Sequence, residues 1–259
     1  MLRQGSGHAG TRRGDPVQDL TITLLQTELA WHKAATNRAH FSELIRSIPD
    51  ATDLIILPEM FTTGFTMDVV EHAEQLSGPT LRWMAELARE CGITLCGSLI
   101  IEDGGRYYNR LVWMSPDGQH QHYDKRHLFR MAGEHEYFAP GTRREIFGLN
   151  GWRVCPMICY DLRFPVWSRG VNEFDLLLYV ANWLAARRSA WQTLLPARAV
   201  ENQCYVAGVN RTGTDGKNIS YAGDSSVHDY LGQPLADLGP AHGHCTVTLS
   251  GTGLTRYRE

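Results

Sequence analysis

Residues Leu20–Gln26 alternate threonine with leucine and isoleucine, the period of a half-buried strand. Ala34–Ser47 follows with apolar positions at helical spacing and predicts a helix whose inner face carries Ala35, Ala39, Leu44 and Ile45. Asp53–Leu57 is a nearly unbroken apolar run, hence a buried strand, and it ends at Pro58-Glu59. Pro79–Cys91 is punctuated as a helix: Gly78-Pro79 opens it, Leu81, Met84, Leu87 and Ala88 repeat along one face, and Gly92 closes it. Ile93–Ile101 and Tyr107–Ser115 read as strands joined through Glu102-Asp103-Gly104-Gly105-Arg106, with a further turn at Pro116-Asp117-Gly118 into Gln119–Tyr123. Strands are predicted again over Arg153–Cys159, Asp175–Val180, Tyr205–Asn210, Ser225–Tyr230 and Cys245–Leu249. Helices are predicted over about 165–170 and over Ser189–Asn202, the latter burying Trp191, Leu194, Leu195, Ala199 and Val200.

Helices and buried strands alternate at both ends of the chain with hairpins between, which predicts an α/β sandwich of mixed sheets covered by helices. No repeat, linker or low-complexity block divides residues 19–259, so they are expected to form one domain. Residues 1–18 are polar, rich in glycine and arginine and without periodicity, and predict a flexible N-terminal extension. Arg12-Arg13 is followed by Gly14-Asp15-Pro16 and not by an apolar core, which argues against an export signal.

Composition narrows the function. The net charge of −3 and the lack of a long basic block argue against a nucleic-acid partner. No apolar run approaches the roughly 20 residues that span a bilayer. None of the six cysteines forms a C-x-x-C pair, so reduced thiols and a cytoplasmic location are expected. His120-Gln121-His122 and His242-Gly243-His244 lack a matching ligand set, so no metal is expected. No phosphate-binding glycine loop and no G-x-S-x-G occurs, although Ser98 follows Gly97 in a strand-like run.

Three residues carry candidate chemistry. Cys159 ends an apolar run and is followed by charged and turn-forming residues, Tyr160-Asp161-Leu162-Arg163-Phe164-Pro165, unlike a merely buried thiol. A free cysteine has a pKa near 8.5, so a nucleophilic one needs activation. Glu59 closes another buried run, where a carboxylate must be paired or hydrogen-bonded; taken alone, a cap or a salt bridge would explain it equally well. Lys125 lies in a basic stretch with Arg126, His127 and Arg130, and by itself reads as a solvated lysine. As a set, a carboxylate, an ammonium and a thiol are the parts needed to hydrolyse an amide through a thioester.

The segments Leu57-Pro58-Glu59-Met60-Phe61, Tyr123-Asp124-Lys125-Arg126-His127-Leu128 and Ile158-Cys159-Tyr160-Asp161-Leu162-Arg163-Phe164-Pro165 together resemble the nitrilase superfamily of carbon–nitrogen hydrolases. They occur in that family's order, 66 residues apart (59 to 125) and 34 apart (125 to 159). The resemblance covers about residues 19–258 and implies a four-layer α-β-β-α sandwich, paired into a homodimer through the helical face near the nucleophile. It implies Cys159 as nucleophile, Glu59 as base, and Lys125 with the backbone N–H of Tyr160 as oxyanion holders. It also implies a second glutamate that orients the lysine. Counting back from Pro140-Gly141 favours Glu134 over Glu136 for that place.

A narrower similarity is to bacterial omega-amidases, through Pro58–Phe65, Phe129-Arg130-Met131-Ala132-Gly133-Glu134-His135 and Tyr179-Val180-Ala181-Asn182-Trp183. It implies a small-molecule amide of the 2-oxoglutaramate or 2-oxosuccinamate type as substrate and no cofactor. Phe65, Tyr160, Asn182 and Trp183 are then expected around the substrate. Arg163 is expected to meet its carboxylate, with Arg187 and Arg188 as alternatives. Glu201 is expected to be structural. An N-carbamoyl amino acid hydrolase, an aliphatic amidase and a nitrilase would share these residues, and a binding protein on the same fold is the non-enzymatic alternative.

Overall fold

The computed structural model describes residues 18–48 and 51–259. The extension expected over 1–18, with Arg12-Arg13, lies outside the described residues except for Gln18, whose carbonyl accepts the Trp152 indole N–H at 2.5 Å.

A short central strand shows why the chain builds layers. Leu54 and Ile56 pack into one apolar cluster while Ile55 and Leu57 pack into another, because successive side chains of a strand point to opposite faces. A sheet so buried needs cover on both sides. The first sheet takes β1 (Leu20–Gln26), β2 (Leu54–Ile56), β3 (Thr94–Asp103), β4 (Arg106–Met114) and β5 (His120–Asp124). The second is built from β6 (Phe147–Leu149), β7 (Trp152–Ile158), β8 (Leu176–Ala181) and β9 (Tyr205–Asn210). Then come a two-stranded ribbon, β10 (Thr212–Thr214) and β11 (Ser220–Ala222), and the strands β12 (Ser226–His228), β13 (Pro234–Asp237) and β14 (Gly243–Leu249).

The strand orders are β14-β1-β2-β3-β4-β5 and β13-β12-β9-β8-β7-β6. Each sheet has three parallel central strands, β1-β2-β3 or β7-β8-β9, flanked by antiparallel neighbours. The inner core joins Ile22, Leu24, Leu111 and Trp113 of the first sheet to Val154, Leu176 and Leu178 of the second. The helices Ala34–Arg46 and Pro79–Cys91 cover the first sheet through Phe41, Ile45, Leu81 and Met84. The helix Arg188–Asn202 covers the second through Trp191, Leu195 and Ala199. The result is the expected α-β-β-α sandwich.

Local differences have physical reasons. In the helix Ala34–Arg46 the buried face is Asn37, Phe41 and Ile45, while Ala35 and Ala39 are exposed. Asn37 can be buried because its amide exchanges hydrogen bonds with Ala30 and also donates to the Thr62 carbonyl. Val200, expected inside, is half exposed at 51%. The helix opened by Pro165 ends at Ser168. Apolar periodicity does not predict the C-terminal helix Gly251–Arg258; Ser250 caps it, its hydroxyl accepting the Gly253 N–H at 3.2 Å. Among the described residues no helix is long and apolar enough to cross a membrane.

Candidate active site

Two strand ends turn through the left-handed backbone region without glycine. Glu59 follows β2, and the next residue, Met60, has φ +42°. Cys159 follows β7 directly, opens the 3₁₀ turn Cys159–Arg163, and has φ +46°. Such a residue costs of the order of 1–3 kcal/mol and persists only where its surroundings hold it. At Cys159 the holder is Asp161, fully buried. Its Oδ2 accepts the Ile158 N–H at 3.1 Å and the Tyr123 hydroxyl at 2.7 Å. Its Oδ1 accepts the His127 N–H at 2.9 Å and lies 2.7 Å from His127 Nδ1. One carboxylate thus fastens the Cys159 corner to the segment that leaves Lys125.

Lys125 is buried between two carboxylates. Its Nζ is 2.9 Å from Glu59 Oε1 and 2.9 Å from both oxygens of Glu134. Asn109 Nδ2 donates to Glu59 Oε1 at 2.7 Å and to Glu134 Oε1 at 3.2 Å. Glu134 Oε2 also accepts the Phe129 N–H at 2.5 Å, and Glu59 Oε2 accepts the Asn182 N–H at 2.7 Å. Behind Asn109, Ser98 accepts the Met60 N–H at 2.9 Å and donates to Asn109 Oδ1 at 2.8 Å, which fixes which way the Asn109 amide faces.

Burial works against the charge on Lys125, but Glu134 and then Glu59 outweigh it and hold the ammonium above its ordinary range. Burial pushes the Glu134 carboxyl up, Lys125 pulls it back, and the charge of Glu59 adds to the rise. Burial, followed by the facing Glu59 carboxylate, pushes the Cys159 thiol well above the usual thiol range, against the pull of Lys125. Cys159 therefore rests as a neutral thiol facing Glu59. Proton transfer to Glu59 would move negative charge onto sulfur without changing the net charge around Lys125.

Gly141 braces the strand end that carries Lys125. Its N–H donates to the Lys125 carbonyl at 2.9 Å, and a Cβ on it would stand 2.0 Å from the Asp124 carbonyl oxygen. Gly141→Ala is expected to destabilise the fold by about 1–3 kcal/mol, as overpacking against fixed backbone does, and to lower activity through displacement of Lys125. Thermal unfolding and turnover measured side by side check this, and an unchanged pair of values would refute it.

A small cavity opens over this cluster. Cys159, Lys125, Tyr160 and Asn182 line it, with Phe65 and Trp183 among its aromatic walls and Arg163 and Arg187 also on it. Lys125 Nζ lies 5.2 Å from the centre of the Phe65 ring. Glu136 is exposed and Glu134 buried, so only Glu134 reaches the lysine. Arg188 is engaged elsewhere, pairing with Asp224 at 2.6 and 2.7 Å, and does not line the cavity. Glu201 pairs with Arg198 at 3.2 Å. Asn109 does not stand out in the sequence; the available signal is an amide and a guanidinium, Asn109-Arg110, interrupting a strand otherwise apolar toward its end. No group of three or more His, Cys, Asp or Glu side chains among the described residues is placed to hold a metal ion.

The carbon-nitrogen hydrolase family profile matches residues 21–258. The chain belongs to the carbon-nitrogen hydrolase family. This hydrolase is 46% identical to the omega-amidase YafV of Yersinia enterocolitica, over 93% of each protein. It is 33% identical to a 2-oxoglutaramate amidase of Bacillus subtilis, over 86% of this chain and 88% of that protein. A CN-hydrolase superfamily protein from Xanthomonas campestris, solved with an arsenic adduct in its active site, superposes with a TM-score of 0.91 at 44% identity, covering 93% of this chain and 94% of that one. The hydrolase is thus an enzyme acting on carbon–nitrogen bonds of amides, on a nitrilase-superfamily fold.

Proposed function

We propose that this hydrolase is an omega-amidase that cleaves the terminal amide of 2-oxoglutaramate- or 2-oxosuccinamate-type acids, releasing ammonia through a Cys159 thioester. One observation carries the reading. A buried Glu59–Lys125–Glu134 cluster and Cys159 meet at a cavity that also bears two guanidiniums, Arg163 and Arg187, neither paired with a carboxylate among the described residues. Arg163 lies 5.4 Å from the centre of the Trp183 ring, and Arg187 lies 5.2 Å from that of Phe129, with its Nη2 3.1 Å from Met131 Sδ. Stacked on aromatic faces, both keep donor edges for an anion. A substrate with an amide at one end and a carboxylate at the other matches that layout, as do the names of the relatives.

In this mechanism Glu59 takes the thiol proton as Cys159 Sγ bonds to the amide carbon. Lys125 and the Tyr160 N–H face the oxyanion that forms, a kind of stabilisation worth about 3–4 kcal/mol per donor. Glu59 passes the proton to nitrogen, the C–N bond breaks and ammonia leaves. Glu59 then draws a proton from water as it attacks the thioester, giving the acid and the free thiol. Glu134 holds Lys125 in place.

Arg187→Met is expected to raise KM for 2-oxoglutaramate about tenfold or more, the scale of a lost charge-assisted contact, with a much smaller effect on butanamide, which has no carboxylate. Steady-state kinetics on both substrates check this; equal effects on the two would end the carboxylate reading. A panel including nitriles and N-carbamoyl amino acids tests the neighbouring activities. A cytoplasmic homodimer fits the same reading. Val166, 91% exposed, and Val200 stand on adjoining helical segments linked by Arg169 and the Glu201 carbonyl, an apolar face available for a second copy.

A further inference from the structure

Asn182 is the first residue after β8, buried beside Glu59 and on the cavity wall. Its backbone N–H and its side-chain Nδ2 are both committed to Glu59, the first to Oε2 at 2.7 Å and the second to the carbonyl oxygen at 2.5 Å. The Nδ2 bond sets the orientation of the side-chain amide, because the flipped amide would press Oδ1 against a carbonyl oxygen. Oδ1 is left shut away from solvent and, among the described residues, meets no donor. A buried acceptor without a partner is costly, and Asn182 lines the cavity, so a substrate that parts the wall there gains by supplying the missing donor.

We propose that Asn182 Oδ1 accepts an N–H of the scissile carboxamide and thereby selects primary amides over esters, nitriles and acids. The inference rests on the amidase reading of Cys159 and Glu59 and adds the group that recognises the departing nitrogen. Among acyl compounds of this oxidation level, the primary amide carries N–H donors on the atom that leaves. When Sγ bonds to carbon, the thiol proton reaches nitrogen by way of Glu59, the C–N bond breaks, and NH₃ departs. An N–H faces Oδ1 from the first contact to departure. The water that follows has an O–H for Oδ1 and another for Glu59, which turns a lone pair toward the thioester carbon. The carboxylate product has no donor to offer, and both Oδ1 and Glu59 repel it.

The test compares kcat/KM for a primary amide and for the methyl ester of the same acyl group in the wild type, Asn182→Ala and Asn182→Leu. Because kcat/KM ends at acylation, the water step does not enter. The amide-to-ester ratio is expected to fall about 10–100-fold in both variants, the scale of one hydrogen bond lost from a buried acceptor. Parallel losses on both substrates would mean that Asn182 acts only by supporting Glu59, and would overturn the proposal; so would no loss on the amide. The wild type gives an arm that needs no folded variant: its kcat/KM for the amide should equal or exceed that for the more electrophilic ester, and a large ester preference would overturn the proposal. Running the pair on both a butanoyl and a 2-oxoglutaryl group separates the two readings. Failure on the keto acid alone would count against the omega-amidase reading and leave the amide-to-ester comparison decisive.

Discussion

Cys159→Ala is expected to lower ammonia release from 2-oxoglutaramate by about 10⁴-fold or more, the scale seen when a covalent nucleophile is removed from a hydrolase. The thiol is buried, held neutral by that burial and by the facing carboxylate, and set at a left-handed corner that turns it out of the sheet. Removing one sulfur atom leaves only a small void, worth about 1 kcal/mol, so the variant should unfold at nearly the wild-type temperature. Mass spectrometry supplies the second readout. Rapid acid quench of the wild type during turnover should show protein heavier by one acyl group, and the alanine variant should show none. Turnover within tenfold of wild type, or an acyl group mapped to another residue, would remove Cys159 from the reaction.

Lys125→Met is expected to damage both activity and stability. In the native protein one ammonium stands 2.9 Å from two buried carboxylates. Taking one partner out of a buried ionic cluster commonly costs about 3–5 kcal/mol, since the charges left behind have no compensation. The pH dependence fixes the cause. Without Lys125 the two glutamates must share a dry site, so at least one should bind a proton in the folded state, with its folded pKa above the unfolded value of about 4.3. The folded variant then holds the extra proton. Its stability is greatest below that unfolded value and declines as pH rises through the raised folded pKa. In the wild type Lys125 pulls the Glu134 carboxyl back against that rise, and because its own folded pKa is raised its contribution is present at all pH values below the ordinary lysine range. The stability gap between the two proteins should therefore be narrower at pH 5 than at pH 8 in urea unfolding. A gap that did not vary with pH would show that lost packing, and not stranded charge, explains the defect.

Periodicity and short motifs carry most of this architecture. The helix Pro79–Cys91 is readable to the residue because glycine and proline stand at its ends, Gly92 taking φ +68°. Glu59, Lys125 and Cys159 are legible only as a set: Glu59 alone could be a cap, Lys125 alone reads as a solvated lysine, and the motifs around them that resemble the nitrilase superfamily bring the three together. What escapes does so because local sequence is silent about partners. Asn37 reads as surface polarity until Ala30 and Thr62 are seen around it. Asn109 has its meaning only from Ser98, Glu59 and Glu134, which lie 11, 50 and 25 residues away. The choice of Arg163 and Arg187 over Arg188 likewise depends on Asp224, 36 residues downstream, which takes Arg188 out of contention.

The two carboxylates beside Lys125 are unequal in what remains open on them. A carboxylate offers about four acceptor directions. Those of Glu134 are filled, by Lys125 on both oxygens, Asn109 and the Phe129 N–H. Glu59 has three filled, by Lys125, Asn109 and the Asn182 N–H, and the fourth is left for the thiol. In the proposed mechanism proton traffic is thus single-lane. Every hydrogen that leaves sulfur, reaches nitrogen or comes from water crosses the same lone pair, and Glu134, with its own directions filled, is no understudy for it.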